Sequence, residues 1–416
     1  MSRLTRDARL VVVASHPIQY FTPIYQRLAR IHGLQLDVLF CRDFGVAPRY
    51  DKQFGRVVCW DTDLLSGYPH RFLRNISPIT DTFNPLHAVN PSVVAHVLRD
   101  CDAVWVNGYA YPTNWLAAAA ARLRRVPILY RSDMRLRPDR PAGRLDTVRE
   151  GVIRAWIGRS DALLYIGEAN REAYLAYGAR EDQLHFTPYS VDVERIRRVA
   201  SAAGGARELR LKWGVDPDAT VILAVAKLID IKHPEALLHV LGEAAGRSRL
   251  HAVFAGSGPL EQALRAEAAR RGLTNVTFLG FVNQQALPEV YALADIFVMP
   301  SEQEQWGLVL NEAMAGGLVS VVSDDVGAAR DLVSDGETGF MFPSRDWDAL
   351  ARHVLRLAGD GGLRVRMGKA ARVRAARYSY EATVEGIVRA LRHLNVLPRM
   401  PFMATRVAKE SCATPS

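Results

Sequence analysis

Short apolar runs alternate with helix-forming stretches along most of this chain, and this alternation constrains the fold more than any other feature. The runs are rich in β-branched residues, lack a helical period, begin with Leu10–Ala14 and recur as far as Gly339–Phe342. Such runs predict strands that are buried on both faces of a parallel sheet. Because the strands alternate with helices, the sequence predicts an α/β protein with doubly wound parallel sheets.

The chain is long enough, at 416 residues, to form two such sheets with separate cores. A stretch of small residues, Ser201–Gly205, separates two series of strands and helices, which indicates a domain boundary at about this point. We therefore predict a first Rossmann-like domain over residues 1–198, a second over 199–376, a helix over 377–397 that returns to the first domain, and a flexible tail over 398–416.

The charge balance and the cysteines limit the class of protein. A net charge of +9 suits anionic partners such as nucleotides, phosphorylated lipids or membrane surfaces, although a general effect on solubility is equally compatible with it. The four cysteines form no CxxC pair, which is typical of a reduced chain without a disulfide framework or zinc site. We find no run that resembles a signal peptide or a membrane span. We expect a cytoplasmic protein, and peripheral contact with the inner membrane stays open.

Three carboxylates surround a predicted strand end and the start of a predicted helix. Glu302 and Glu304 follow the apolar run that ends at Pro300, and Glu312 lies in a helix predicted over residues 308–315. Open α/β sheets bind ligands at the carboxyl ends of their strands, and a helix start offers free N–H groups to an anion. We hypothesise that a nucleotide sugar binds here, with its diphosphate on the helix start. The alternative is a loop of solvated acids before an ordinary helix.

Two further motifs follow predicted strands of the same domain. Lys227 and Lys232 come after the run 220–226, and two cations beside a helix start match a diphosphate. Solvated surface lysines are the alternative interpretation. Gly256 and Gly258 end another strand, where glycines permit close approach of the backbone to a ligand or simply form a tight turn.

Together these motifs resemble the donor domain of the retaining glycosyltransferases of family four, the glycosyl transferases group 1, which have the GT-B fold. Glu304 and Glu312 match the family's Glu-x7-Glu signature, and the stretch 335–340 matches its downstream turn. The resemblance is specific over residues 220–345 and extends more weakly to most of the chain. It implies an enzyme with two Rossmann-like domains that face a cleft.

The resemblance also implies a role for each matched residue. Lys227 and Lys232 match the paired cations on the donor diphosphate, although the first is more often arginine in the family. Glu304 matches the acid that contacts the transferred sugar, and we take it as a catalytic residue. The predicted donor-binding residues are Lys227, Lys232, Gly256, Gly258, Gly307, Leu308, Val309 and Glu312, the last of which matches the acid on the nucleotide ribose.

The implied reaction is the transfer of a sugar, with retention of configuration, from a nucleotide diphosphate sugar to an acceptor hydroxyl. Uridine diphosphate is the commonest donor nucleotide, and the product belongs to polysaccharide, glycolipid or natural-product glycoside biosynthesis. Such enzymes need no metal and no other cofactor, because the lysines and the helix dipole stabilise the departing diphosphate. No protein general base is assigned. Glu302 matches no family role and is interpreted as a solvated acid.

The first half departs from the family at the loop after its first strand. Many members have a glycine-rich loop there, whereas this chain reads Ser-His-Pro-Ile-Gln-Tyr over residues 15–20. We predict that His16 is a catalytic residue, with a structural histidine as the alternative. The acceptor-side candidates lie after inner strands of the first domain and are Gln19, Tyr20, Asn107, Tyr109, Arg131 and Asp133. A purely structural role is the alternative for Asn107 and Tyr109, and mutual pairing is the alternative for the last two.

Other functions remain as alternatives. A nucleotide-sugar epimerase or a phosphorylase could use the same fold, but the epimerase would need no acceptor and the phosphorylase would have a cofactor lysine. A dehydrogenase is disfavoured, because no GxGxxG motif with an acid about twenty residues later is present. A nucleic-acid-binding protein is disfavoured because the arginines are scattered over both halves, so we predict no nucleic-acid partner. The acceptor itself stays open, and the basic balance favours an anionic or lipid-linked one.

Overall fold

The computed structural model describes residues 6–79, 84–136, 144–202, 205–246 and 248–398. The strands are β1 (Ala8–Ala14), β2 (Leu34–Phe40), β3 (Arg49–Asp51), β4 (Arg56–Val58), β5 (His70–Phe72), β6 (Ala103–Asn107), β7 (Ile128–Arg131), β8 (Ala162–Tyr165), β9 (Leu184–Phe186), β10 (Thr220–Val225), β11 (Leu250–Ala255), β12 (Val276–Gly280), β13 (Ile296–Met299), β14 (Val319–Ser323) and β15 (Gly339–Phe342). The predicted tail beyond residue 398 and the linker residues 203–204 lie outside the described residues.

The helices occupy the stretches between these strands and the region after the last one. They are α1 (Thr22–Leu28), α2 (Val93–Arg99), α3 (Pro112–Arg124), α4 (Arg144–Arg159), α5 (Glu168–Ala176), α6 (Val193–Ala202), α7 (Ala206–Lys212), α8 (Glu235–Ala244), α9 (Glu261–Arg270), α10 (Leu287–Ala292), α11 (Leu308–Gly316), α12 (Ala329–Leu332), α13 (Trp347–Gly359), α14 (Gly361–Ala375) and α15 (Tyr380–His393). None of these described helices is long and apolar enough to cross a membrane.

Two parallel sheets organise the fold, as the alternation of strands and helices predicts. The first sheet has the strand order β5-β2-β1-β6-β7-β8-β9 and the second has the order β12-β11-β10-β13-β14-β15. The central strands are buried on both faces, and Leu10, Val11, Val12 and Val13 of β1 are all fully buried. The prediction of an α/β protein with two Rossmann-like domains is confirmed.

The strand orders also say where each sheet can bind a ligand. The direction of strand order reverses between β1 and β6 in the first sheet and between β10 and β13 in the second. Open α/β sheets bind ligands in the crevice at the carboxyl ends of strands on either side of such a reversal. The loops after β1, β10 and β13, which carry seven of the sixteen predicted site residues, therefore lie at these positions.

The chain crosses between the domains at two points that lie side by side. Val191 forms a bridge with Ser379, and Ser379 then caps α15 by accepting a hydrogen bond from the N–H of Ala382 at 3.3 Å. Helix α15 packs on α1 and β9 of the first sheet and buries Ile387 and Leu391 there. The last helix thus lies against the first domain.

Helix α6 lies on the other side of the first crossing. It packs on α10 and α11 of the second domain and buries Val193 and Ile196 in that core. The sequence-based boundary at residues 198/199 falls inside this helix, because α6 continues through Ser201 and Ala202, the first two of the small residues that suggested the boundary.

Two helix termini make hydrogen bonds outside the regular helix. Helix α3 begins at Pro112, and the Thr113 hydroxyl lies 3.0 Å from the Ala88 carbonyl and 2.9 Å from Oδ1 of Asn90, in the loop before α2. Helix α1 ends at Leu28. Residues 30 and 31 after it form tighter turns, in which the N–H of residue i bonds the carbonyl of residue i−3.

Candidate active site

A cavity of about 400 Å³ lies between the two domains, beside the carboxyl ends of β10 and β13. Residues of both domains line it. The first domain contributes Gln19, Tyr20, Gln53, Phe54 and Trp60. Among the residues of the second domain on its wall are Lys227, Lys232, Gly256, Phe281, Glu304, Gly307, Leu308 and Val309. The sequence predicts eight donor-binding residues and two catalytic residues, Glu304 and His16. Seven of these ten residues line this one cavity.

Glu304 and Lys232 form an ion pair on the wall of this cavity. Lys232 ends a short 3₁₀ turn after β10, and Glu304 lies in the loop after β13. Their side chains are only 18% and 19% exposed. Burial, followed by the nearby Lys227 ammonium, lowers the pKa of Lys232 to about 8. An anion that entered the cavity would favour the charged form of this lysine, because opposite charges stabilise each other.

Backbone hydrogen bonds fix the loop that carries Glu304 to both neighbouring loops. The N–H of Glu302 donates to the carbonyl of Ile231 at 2.8 Å, and the carbonyl of Glu304 accepts from the N–H of Gly327 at 3.0 Å. The N–H of Gln303 donates to the Asp325 carboxylate at 2.7 Å. The backbone of the loop that carries Glu304 is therefore fixed independently of the ion pair with Lys232.

Gly307 connects this loop to α11 in a conformation that favours glycine. Its φ is +99°, and a Cβ atom there would lie 2.7 Å from Cε of Met299 and 3.2 Å from Cγ1 of Val326. Helix α11 then begins at Leu308, and Leu308 and Val309 line the cavity. The first N–H groups of an α-helix lack intrahelical acceptors, so this helix start can bind an anion.

Lys227 is held by a segment of the first domain. Its Nζ donates to Oε1 of Gln53 at 2.7 Å and to Oδ2 of Asp51 at 3.3 Å, and it lies 4.5 Å from the centre of the Phe54 ring. A carboxylate and an amide oxygen thus occupy the ammonium on which the resemblance places a diphosphate. These two oxygens engage two of the three donors of the ammonium, so a diphosphate can bind the third donor with the hairpin of β3 and β4 in place.

The two glycines after β11 approach protein backbone. A Cβ atom on Gly256 would lie 1.8 Å from the carbonyl oxygen of Ala226, and one on Gly258 would lie 2.4 Å from that of Leu228. The residues between these two carbonyls include Lys227, so the glycines allow the lysine loop to pack closely on the loop after β11. Gly256 also lines the cavity, whereas Gly258 lines neither this cavity nor the smaller one described below.

Glu312 lies on α11 and is buried, with 5% of its surface exposed. Its carboxylate accepts a hydrogen bond from the Tyr291 hydroxyl at 2.7 Å and another from the Tyr20 hydroxyl of the first domain at 3.3 Å. Burial raises the pKa of Glu312 to about 7, although both tyrosine hydroxyls and the more distant Arg195 favour the ionised form. This carboxyl group therefore titrates near neutral pH.

A smaller cavity of about 160 Å³ lies next to Glu312. Gln19, Tyr20 and Gln284 line both cavities, so the two spaces are neighbours along one cleft. Arg195 of α6 and Asp192 also line the smaller cavity. The described cleft thus runs from the ion pair of Lys232 and Glu304 to the buried carboxyl group of Glu312.

His16 lies in the loop that continues into Gln19 and Tyr20, but it lines neither of these cavities. Its Nδ1 is 3.0 Å from the Ser15 hydroxyl, and its ring meets the Phe44 ring edge-on at 5.9 Å. Burial, with a smaller effect of His87, lowers the pKa of His16 to about 4. The imidazole is therefore neutral at physiological pH.

Asn107 is the last residue of β6 and Tyr109 follows it, and both side chains bond within the first domain. The side-chain amide of Asn107 donates to the Val13 carbonyl at 3.2 Å. The Tyr109 hydroxyl accepts from Nε of Arg149 on α4 at 3.0 Å. Neither residue lines either cavity.

Arg131 is the last residue of β7 and Asp133 follows it, and neither residue lines either cavity. Arg131 is 2% exposed, and its guanidinium carbon lies 5.0 Å from the ring centres of both Phe21 and Tyr189. The Tyr189 hydroxyl donates to Asp133 at 3.4 Å. Among the six acceptor-side candidates, only Gln19 and Tyr20 line the described cleft.

The interpretation of Glu302 as a solvated acid is wrong. Its side chain is 18% exposed and forms an ion pair with Arg345, and it lies 3.0 Å from Nε2 of His233. The Arg345 guanidinium is the main cause that lowers the pKa of Glu302 to about 2. The partners come from the loops before α8 and after β15, which sequence spacing does not relate to residue 302.

Several cleft residues were not singled out from the sequence. They are Gln53, Phe54, Trp60, Arg195, Phe281, Gln284 and Tyr291. The signal available for the first three was the loop-rich insert of residues 42–92, where aromatic side chains stand among turn-forming residues. No described group of three or more His, Cys, Asp or Glu side chains is arranged to hold a metal ion.

Comparison with known proteins identifies the class of the second domain. Residues 206–374 match the family model of the glycosyl transferases group 1, which covers β10 to β15 and the helices between them. The second domain of this chain is therefore a group 1 glycosyl transferase domain. The resemblance based on Glu304, Glu312 and their flanking residues is confirmed as a match to the glycosyl transferases group 1.

Curated relatives carry glycosyltransferase names. A D-inositol 3-phosphate glycosyltransferase of Streptomyces bingchenggensis is 29% identical over 294 residues, which span 67% of this chain and 62% of that protein. An alpha-D-kanosaminyltransferase of Streptomyces kanamyceticus is 34% identical over 202 residues, which span 45% of this chain and 52% of that protein. The alignments thus span roughly half to three fifths of the length of these relatives.

Solved structures share the whole fold. The Anabaena protein HepE in complex with UDP has a TM-score of 0.70 at 18% identity, with 93% of this chain and 99% of that chain covered. Sucrose-phosphate synthase from Thermosynechococcus elongatus has a TM-score of 0.70 at 20% identity, with coverage of 93% and 99%. These similarities establish the GT-B fold, with both Rossmann-like domains present.

Proposed function

We propose that this chain is a retaining glycosyltransferase of family four, which moves a sugar from a nucleotide diphosphate sugar to an acceptor hydroxyl. One observation carries the proposal: Lys227 and Lys232 after β10, Glu304 after β13 and Glu312 on α11 lie along one cleft between the domains. Cations beside a helix start suit a diphosphate, and carboxylates suit sugar hydroxyls. The Anabaena relative in fold is described in complex with UDP, which supports UDP as the donor nucleotide.

The diphosphate binds between Lys227, Lys232 and the start of α11 in this proposal. As the glycosidic bond breaks, the leaving diphosphate gains negative charge, and the two ammonium groups and the helix start stabilise it. The ion pair with Lys232 holds the Glu304 carboxylate beside the same group. Glu304 then contacts hydroxyls of the transferred sugar, whose anomeric carbon develops oxocarbenium character. The departing diphosphate takes the proton of the acceptor.

Glu312 binds the ribose of the donor. Its carboxylate already accepts two hydroxyl hydrogen bonds, one of them from Tyr20 of the other domain at 3.3 Å. Ribose hydroxyls offer the same kind of donor, so they can replace the Tyr20 hydroxyl without leaving the buried carboxyl group unpaired. Because Tyr20 lies across the cleft, donor binding at Glu312 would be coupled to the relative position of the domains.

The acceptor binds on the side of the first domain, where Gln19 and Tyr20 line the cleft. One curated relative is named a D-inositol 3-phosphate glycosyltransferase, which supports a hydroxyl-rich ring as acceptor. The net charge of +9 favours an anionic or lipid-linked one, at the cytoplasmic face of the membrane. The product would then be a glycolipid, a polysaccharide precursor or a natural-product glycoside.

We keep His16 as the catalytic candidate of the first domain. Its loop continues directly into Gln19 and Tyr20, which line the cleft. Its low pKa leaves the imidazole neutral, so it can hydrogen-bond a sugar hydroxyl or a phosphate without carrying charge. The proposal includes no metal and no other cofactor, because the two lysines and the helix start supply the positive charge that a metal would bring to the diphosphate.

A thermal-shift screen with nucleotide sugars tests the proposal. We expect one nucleotide class to raise the unfolding temperature of the wild type, and Glu312→Ala to abolish most of that rise. The variant Glu194→Ala is the control, because Glu194 is 84% exposed on α6. Equal stabilisation of the wild type and Glu312→Ala would contradict the ribose assignment. No stabilisation by any nucleotide would contradict the proposed function, and conversion of the donor without an acceptor would favour an epimerase.

A further inference from the structure

A hairpin of the first domain, formed by β3 and β4, packs against the loops after β11 and β12 of the second domain. Strands β3 and β4 pair only with each other, and Asp51 Oδ1 fixes the turn by accepting from the N–H groups of Gln53 and Phe54 at 2.7 and 3.1 Å. The outer side chains Tyr50 and Val57 are 60% and 56% exposed. Because an isolated two-stranded hairpin is marginally stable, the contacts of its tip decide where it lies.

Those contacts are made with loops of the second domain. The Ser257 hydroxyl, in the loop after β11, donates to the carbonyl of Phe54 at 3.1 Å. The side-chain amide of Asn283, in the loop after β12, donates to the carbonyl of Cys59 at 2.7 Å. Both bonds are made to backbone carbonyls of residues 54–59, so they place the hairpin whatever its side chains are.

This placement assembles three aromatic rings on the cavity wall. Phe54 and Trp60 of the first domain contact Phe281 of the second, with ring centres 5.1 and 6.1 Å apart. All three residues line the larger cavity. We name Phe54, Trp60 and Phe281 the aromatic wall.

The position of the aromatic wall relative to the charged groups says which part of a donor it would meet. Phe54 adjoins the diphosphate position, because Lys227 Nζ lies 4.5 Å from its ring centre. Phe281 lies three residues before Gln284, and Gln284 lines both cavities. The smaller cavity is lined by Glu312, which binds the ribose in the proposed function. The wall therefore lies on the nucleoside side of the diphosphate.

We propose that Phe54 and Trp60 complete a nucleobase-binding subsite with Phe281, so that the first domain takes part in recognising the nucleotide as well as the acceptor. This inference rests on the proposed function. Aromatic side chains bind bases through the π-face that every base has, and a wall built from both domains would hold the base only when the hairpin is in place. Phe54 and Trp60 then help to determine which nucleotide is bound.

Isothermal titration calorimetry with UDP and with inorganic pyrophosphate tests the inference. We expect Phe54→Ala and Trp60→Ala to weaken UDP binding about tenfold or more, which is the range of base–aromatic stacking. Binding of pyrophosphate, which has no base, should stay within about twofold of the wild type. Tyr50→Ala and Val57→Ala are matched controls on the outer face of the same hairpin and should bind both ligands normally. Phe54→Tyr should retain UDP binding.

The outcomes separate this inference from the proposed function. If Phe54→Ala and Trp60→Ala bind UDP as the wild type does, the nucleobase subsite is overturned while the proposed function stands. If the two variants show an equal loss of affinity for UDP and for pyrophosphate, the hairpin affects binding through Lys227 alone, and the subsite is again overturned. If the wild type binds UDP, GDP and ADP no better than pyrophosphate, no base is recognised, and both the inference and the proposed function fail.

Discussion

Glu312 belongs to the proposed donor site, and its replacement by glutamine should also change how the stability of the ligand-free protein depends on pH. Compared with the wild type, Glu312→Gln should become more stable as the pH rises. The carboxyl group is buried, and its pKa is raised from 4.5 to about 7, mainly by burial. A raised pKa means that the unfolded chain releases this proton before the folded chain does. The stability associated with the protonated group is present below about pH 4.5 and is lost as the pH rises towards about pH 7. Glutamine cannot ionise and escapes this loss.

The magnitude follows from the two pKa values. One pKa unit corresponds to about 1.4 kcal/mol, so the raised pKa of Glu312 lowers the free energy of unfolding by about 3 kcal/mol at alkaline pH and by less than 1 kcal/mol at about pH 5. The amide also loses one of the hydrogen bonds from Tyr20 and Tyr291, but that loss is similar at every pH. The stability of Glu312→Gln relative to the wild type should therefore rise by about 2 kcal/mol from pH 5 to pH 8.

Thermal unfolding of both proteins at several pH values measures this difference. A change of about 2 kcal/mol corresponds to roughly 5 °C in the unfolding midpoint of a domain of this size. Glu194→Gln, which replaces an exposed acid of α6, controls for the loss of one negative charge. A difference between Glu312→Gln and the wild type that stays constant with pH, or that falls as the pH rises, would refute the assignment of a buried carboxyl group titrating near pH 7.

Three further predictions concern the backbone, the imidazole and the metal. Gly307→Ala should lower the free energy of unfolding by about 2 kcal/mol or more, because residue 307 has a positive φ and the new Cβ would clash with Met299. Gly33→Ala is the control, since Gly33 also has a positive φ but has open space around it. Chemical denaturation should show a smaller loss for this control. Equal losses would exclude a role for the clash. His16→Ala should lower kcat without altering the shape of the pH–rate profile between about pH 6 and pH 9, since the His16 pKa is about 4; a lost ionisation in that range would contradict the neutral imidazole. Transfer activity should persist in EDTA, and activity that disappears and returns only with a divalent metal would contradict the metal-independent mechanism.

The fold was predictable because its signal is local. Each central strand is a continuous apolar run that needs two covered faces, and Leu10–Val13 shows the result, with every residue fully buried. The positions of Lys232 and Glu304 were predictable for a related reason. Both follow strands of one parallel sheet, and the carboxyl ends of such strands lie at one edge of the sheet.

Contacts between distant segments were not predictable from the sequence. Glu302 resembled a solvated acid because its partners, His233 and Arg345, are far away in the chain. The bond from Tyr20 to Glu312 joins the two domains over 292 residues of sequence, and no periodicity relates the two positions. The aromatic wall depends on where a short hairpin lies, and that depends on bonds to the other domain.

The most direct test of the account is to supply a stabilising nucleotide sugar with a panel of polyol and sugar acceptors, and to determine the anomeric configuration of the product by nuclear magnetic resonance. We expect acceptor-dependent release of the nucleoside diphosphate and a product with the same anomeric configuration as the donor. Lys232→Ala should lose this activity because the leaving diphosphate loses one of its two cations. An inverted product would contradict the retaining mechanism, and full activity of Lys232→Ala would contradict the placement of the diphosphate in the cleft.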